Sequence, residues 1–114
     1  MRATIDYKNI EKFETAMRSW YIDNTKDESI KDQLKNALAV EVEYTGVGYF
    51  ITYDSTLDFS VPRSTIDGPD FKSSNADDLC GTILFIKDGK IHFMEVFTYG
   101  HHMDDHIDDF EFDS

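Results

Sequence analysis

The chain of 114 residues is long enough for one domain with its own core, because a chain of this length buries about two-thirds of its unfolded surface. Apolar residues make up 40% of it and aromatic residues 14%, which is a globular rather than a disordered composition. The formal net charge of −12 argues against direct binding of DNA or RNA, and it either attracts a basic protein partner or only keeps the protein soluble.

The sequence shows no targeting or membrane signal. No stretch approaches roughly eighteen consecutive apolar residues, and the start "MRATIDYKNIEKFE" lacks the apolar core of a signal peptide. We therefore expect a cytoplasmic protein. Cys80 is the single cysteine, which excludes an intramolecular disulfide and a cysteine-based zinc site, and it is expected to be a small buried residue.

Two helical patterns open the chain, at about residues 6–23 and 28–38. In both, apolar residues recur at three- and four-residue steps, which is typical of a helix with one buried stripe. Either Thr25, in a capping box with Glu28, or Asp27 is expected to cap the second helix. The two patterns predict a helical hairpin. Their apolar positions are Ile10, Phe13, Met17, Trp20, Tyr21, Ile30, Leu34, Ala37 and Leu38.

After the helical patterns, apolar residues recur at every second position. Val40, Val42 and Tyr44 alternate with Glu41 and Glu43, which predicts a half-buried strand with the glutamates on its polar side.

The next segment, "TGVGYFITYD", continues as an extended chain interrupted by two glycines. Gly46 and Gly48 predict a bulge, a bend or a close backbone approach. Residues 54–80 are rich in Asp, Ser and Thr and indicate a long connection, with an edge strand expected at about Leu57–Val61. Other short strands in that connection remain possible.

The segment "TILFIKDGKIHFMEVF" predicts a β-hairpin, because Asp88-Gly89 is typical of a two-residue type I′ turn. Both of its faces are largely apolar, so it is expected at the centre of a sheet or with one face free for a partner. The expected fold is α+β, a single domain with the helical hairpin packed on an antiparallel β-sheet at about residues 39–97, followed by an acidic segment at 98–114. The expected pairs are Lys87–Lys90, Ile86–Ile91, Phe85–His92, Leu84–Phe93 and Ile83–Met94.

The final stretch, "FTYGHHMDDHIDDFEFDS", combines three histidines with six acidic residues and no lysine or arginine. If it were helical, His102 and His106 would lie one turn apart and, with Asp105 or Asp109, could bind a divalent metal. The preceding Gly100 and the aspartate-rich composition instead indicate a turn and a frayed end. The composition therefore favours a charged surface for a basic partner, ahead of a solvated tail and of a metal site.

Several motifs together resemble a group of small bacterial proteins. These are "EYTGVGYF", the apolar hairpin with Asp-Gly-Lys, the "EVFTYG" segment and the acidic "DDFEF" end, and the resemblance covers roughly residues 34–112. Members of this mostly uncharacterised group look like immunity proteins, which are encoded beside polymorphic or contact-dependent growth inhibition toxins. This sequence departs from the pattern at Val96, where a glycine is usual, and at "HHMDDH", where a Trp-Pro is usual.

The resemblance implies a non-catalytic inhibitor, without a cofactor, that binds a cognate toxin domain. A nuclease-type toxin has a basic active site, so an acidic inhibitor would be steered onto it and occlude it. The alternatives are a small metal-binding hydrolase using His102 and His106, and an adaptor or homo-oligomer using the apolar hairpin face. The predicted partner-binding residues are Tyr99, Asp104, Asp105, Asp108, Asp109 and Glu111, with Glu41 and Glu43 as a second set.

Overall fold

The computed structural model describes residues 2–53 and 64–112. Within them two helices follow a short first strand and a turn of 3-10 helix at Tyr7–Asn9, and the strands form one antiparallel sheet. The α+β fold expected from the sequence is confirmed. The elements are β1 (Ala3–Thr4), α1 (Glu11–Asn24), α2 (Glu28–Asn36), β2 (Glu41–Tyr44), β3 (Gly48–Thr52), β4 (Ser64–Asp67), β5 (Phe71–Lys72), β6 (Cys80–Lys87), β7 (Lys90–Thr98) and β8 (Glu111–Phe112).

The strands lie in the order β1-β2-β3-β7-β6-β5-β8, and β4 pairs with β6 beside this path. The β6–β7 hairpin is therefore central, as expected. The sheet extends beyond the predicted limits of 39–97, since it includes β1 near the start and β8 within the acidic end. The connection predicted at 54–80 contains β4 and β5, whereas the edge strand expected at Leu57–Val61 lies outside the described residues.

The first helix begins later than predicted, whereas the second begins at Glu28 as predicted, with one of its two expected caps. Asp6 caps the 3-10 turn, accepting from the Lys8 amide, and α1 itself begins only at Glu11. Asp27, rather than Thr25, caps α2, because its Oδ1 accepts from the amides of Ser29 and Ile30 at 2.9 and 3.2 Å.

Two residues expected on the apolar stripes are exposed. The second helix ends at Asn36, and Leu38 beyond it is 79% exposed. Likewise Val40 lies before the first residue of β2 and is 56% exposed. The prediction that both side chains are buried was wrong. Each residue lies just outside the helix or strand whose apolar spacing it continues.

The hairpin turn is confirmed, because Asp88 and Gly89 both have positive φ, of 51° and 75°. The predicted register holds only next to the turn. A β-bulge after Ile86↔Ile91 makes His92 the extra residue, so that Phe85 faces Phe93 and Leu84 faces Met94. The bulge transfers Phe93 to the side of Phe85, where the two rings stack at 4.4 Å, and leaves Met94 buried beneath the helices.

The helices cover one face of the sheet. Phe13 of α1 packs on Phe71 of β5 with ring centroids 4.7 Å apart, and the buried Tyr21 hydroxyl is 3.0 Å from Thr82 Oγ1 of β6. The opposite side, which no described helix covers, is called the open face. Strand alternation and register place Phe50, Ile83, Phe85, Phe93, Glu95 and Phe97 on it. No helix in the described part of the chain is long and apolar enough to span a membrane.

Candidate protein-binding surface

The acidic segment, defined here as residues 101–112, is folded against the end of the core. Met103 is fully buried and Ile107 is 4% exposed. Burying side chains of this size contributes about 1.5–3 kcal/mol each. Backbone hydrogen bonds join the Met103 amide to the Gly46 carbonyl and the Ile107 amide to the Asn9 carbonyl, both at 3.0 Å. Contrary to the prediction, the segment is therefore not frayed up to Phe112. That residue lies in β8 and pairs with Phe71 of β5.

The turn between β2 and β3 provides one of these attachment points. Gly46 has a φ of +90°, which favours glycine, and a Cβ on Gly48 would lie 1.8 Å from the Val96 carbonyl oxygen. Thr45 closes the turn by donating from its hydroxyl to the Gly48 carbonyl at 3.2 Å. The bend and close approach predicted for these glycines are confirmed, and they bring the Gly46 carbonyl to Met103.

Polar side chains from distant parts of the chain hold the backbone carbonyls of the acidic segment. The hydroxyls of Tyr44 and Tyr49 donate to the carbonyls of Met103 and Asp104 respectively. The Asn9 amide donates to the Asp105 carbonyl at 3.0 Å. Burial raises the pKa of Tyr49, so its hydroxyl remains a donor at neutral pH. The segment is thus fixed from both the sheet and the 3-10 turn that precedes α1.

Two of the predicted partner-binding acids support the segment itself. Asp109 Oδ1 accepts from the Ser74 amide at 2.9 Å and from the Ser74 hydroxyl at 2.7 Å, and these bonds hold the pKa of Asp109 below its usual value. Asp104 contacts His102 Nε2 at 2.8 Å and Asn75 Nδ2 at 3.2 Å, and these two hydrogen bonds lower its pKa as well. Both carboxylates are therefore ionised at neutral pH and engaged in local structure.

Three other predicted acids, Asp105, Asp108 and Glu111, project outward and are called the exposed acids. The side chains of Asp105 and Asp108 are 58% and 75% exposed. His106 lies between them, with Nδ1 3.0 Å from Asp105 and Nε2 3.3 Å from Asp108. The hydrogen bond to Asp105 is the main cause of the raised pKa of His106. A fixed backbone thus presents these three carboxylates to solvent.

The helix that the metal alternative requires does not form in the acidic segment. The acidic segment is irregular up to β8, so His102 and His106 do not stack one turn apart. Each imidazole instead contacts aspartates of its own segment. Within residues 2–53 and 64–112 there is no group of three or more His, Cys, Asp or Glu side chains placed to hold a metal ion.

The remaining predicted residues lie on or beside the open face. Tyr99 is 58% exposed, packs edge-on against Phe97 at 5.3 Å and donates to Asp70 at 3.2 Å. Glu41 and Glu43 are on the same side of β2, and Glu43 pairs with Arg2 at 3.5 Å. The predicted site therefore divides into the acidic segment and the margin of the open face.

Sequence reasoning missed two acidic positions in this region. Asp77 accepts from the backbone amides of His101 and His102, and those bonds lower its pKa and fix the start of the acidic segment. Glu95 is a half-buried carboxylate in the middle of the open face. A charged residue within the apolar run "HFMEVF" is the signal that could have identified Glu95.

Comparison with known proteins gives no family assignment: no family model, no curated protein and no solved structure matches the chain.

Proposed function

We propose that this protein is a non-catalytic inhibitor of the immunity type, which binds a basic toxin domain through the acidic segment. The observation that carries the proposal is the exposure of Asp105, Asp108 and Glu111 on a backbone anchored by Met103 and Ile107. A preformed arrangement of charges loses little conformational entropy on binding. The same charges also steer a basic partner during diffusion and accelerate association.

The mechanism is occlusion. A nuclease-type toxin binds phosphates with basic residues, and carboxylates placed over those residues would compete with its substrate. The net charge of −12 supplies a long-range field of the required sign. In this proposal the inhibitor acts in the cytoplasm of the cell that makes the toxin, and it needs neither a cofactor nor a chemical step.

The test is co-expression with the product of the gene immediately upstream, followed by a pull-down at low and at high salt. The proposal predicts a one-to-one complex with the C-terminal domain of that product, weaker at high salt because exposed charges are screened. Co-expression should also restore growth of cells that make the toxic domain. Failure to retain that domain at low salt would contradict the proposal.

A further inference from the structure

Glu95 occupies an unusual position on the open face. In β7 it lies between Phe50 of β3 and Ile83 of β6, so its neighbours across both strands are apolar. It is half-buried, and within residues 2–53 and 64–112 its carboxylate makes no hydrogen bond or ion pair. Partial burial raises its pKa. A carboxylate kept in such surroundings costs stability, and a cation supplied from outside would offset that cost.

The space above Glu95 has the shape and chemistry to receive a cation. A cleft of about 310 Å³ opens there. Its lining includes the Glu95 carboxylate and, on the same face of the sheet, Phe50 and Phe97, whose ring faces attract cations. Among the lining residues are Arg2, Thr45, Val47, Phe50, Glu95 and Phe97.

Arg2 shows how a guanidinium fits at the margin of this cleft. Its guanidinium carbon lies 4.8 Å from the centroid of the Phe50 ring, and its Nη1 is 3.5 Å from Glu43 Oε2. Glu43 is therefore already paired, whereas Glu95, further along the same row of the sheet, has no ion pair within the described residues. The cleft has room and charge for a second cation.

We propose that the Glu95 cleft binds an arginine side chain of the basic partner, an inference that rests on the proposed function. Arginine is favoured over lysine because a planar guanidinium stacks on aromatic rings and donates two parallel hydrogen bonds to a carboxylate. The cleft adjoins the acidic segment, since the Thr45–Gly48 turn contributes Val47 to the cleft and the Gly46 carbonyl to Met103. One partner surface can therefore contact both regions.

The first test uses N-acetyl-arginine amide as the probe, titrated into the ¹⁵N-labelled protein. We expect the largest chemical shift changes at the amides of Phe50, Val96 and Phe97, and a weaker response to N-acetyl-lysine amide. The variant E95Q keeps the shape of the side chain and removes the charge, and it should weaken binding of the probe about tenfold, as expected for loss of a charge-assisted hydrogen bond. The matched control E11Q, at an exposed glutamate at the start of α1, should bind as wild type does.

Shift changes centred on residues 104–111, or equal binding by E95Q and wild type, would overturn the cleft assignment. These results are independent of the toxin, so they are distinguishable from failure of the proposed function, which is decided by the upstream gene product. In the complex with that product, E95Q should dissociate at least about tenfold faster, while the salt dependence of association stays the same. Dissociation of E95Q at the wild-type rate would likewise overturn the assignment.

Discussion

Glu14 and the exposed acids carry the same charge in opposite surroundings. Glu14 is fully buried in α1, where it accepts from the hydroxyls of Tyr7 and Tyr53 and pairs with Arg18 Nε at 3.1 Å. Asp105 and Asp108 are exposed, and both contact His106. The comparison shows that the acidic composition combines two populations, one that supports the fold and one that is available to a partner.

The Glu14 network connects separate elements of the fold. Tyr7 precedes α1, Tyr53 follows β3, and Arg18 also donates to the Ala37 carbonyl just beyond α2. Burial, followed by the hydrogen bond to Glu14, raises the pKa of Tyr7 to about 12, so its hydroxyl remains protonated and able to donate. Every oxygen of this carboxylate is occupied within the chain, whereas the exposed acids face solvent.

The largest effect on stability is expected from neutralising the buried carboxylate of Glu14. The variant E14Q leaves Arg18 without its counter-charge, and loss of one partner from such a pair should lower the free energy of unfolding by about 3 kcal/mol. Urea denaturation at neutral pH measures this change. The control D23N, at an exposed residue of the same helix, should stay within about 0.5 kcal/mol of wild type. A wild-type unfolding midpoint for E14Q would show that the network does not support the fold.

The second-largest effect is expected from low pH, which should weaken the attachment of the acidic segment. The pKa values of Asp77, Asp104 and Asp109 are lowered in the folded state, so the unfolded chain binds more protons in acid. Their contribution is complete above the unfolded value of about 4 and is lost as pH falls through the folded pKa values.

Unfolding midpoints between pH 6 and pH 2.5 measure this dependence. The variant D109N should unfold at lower temperature than wild type at neutral pH, and its midpoint should fall less steeply in acid. A slope identical to that of wild type would contradict a supporting role for Asp109.

The smallest effect concerns His106, which connects two of the exposed acids. Its pKa is raised in the folded state, so its contribution to stability is complete below the unfolded value of about 6.5 and is lost as pH rises through the folded value. The gain in unfolding temperature of wild type over H106N should therefore be larger at pH 5.5 than at pH 8. A difference that does not change with pH would argue against this pairing.

Local patterns predicted much of the fold. The helical stripes, the Asp88-Gly89 turn and the glycine bend follow from rules that involve neighbouring residues. The hairpin register failed beyond Ile91, because a bulge at His92 is decided by which rings pack across the sheet. The turn alone contains no information about that packing.

The sequence predicted which acidic residues form the candidate site. It did not predict which of them support the fold and which are available to a partner. The support of Asp109 comes from Ser74, 35 positions earlier in the chain, and no periodicity connects the two. Met103 and Ile107 are apolar residues four apart within an acidic stretch, and this spacing could have indicated that the segment is anchored. Glu14 likewise lies on the apolar stripe, four residues after Ile10 and three before Met17.

The most direct test of the central claim compares the association of two charge-matched variants with the upstream toxin domain, measured by stopped flow at several salt concentrations. D105K/D108K and D23K/D32K change the net charge equally, but only the first alters the exposed acids. We expect D105K/D108K to associate at least about tenfold more slowly than wild type at low salt, with D23K/D32K close to wild type. Equal rates for the two variants would contradict the assignment of the acidic segment as the partner-binding surface.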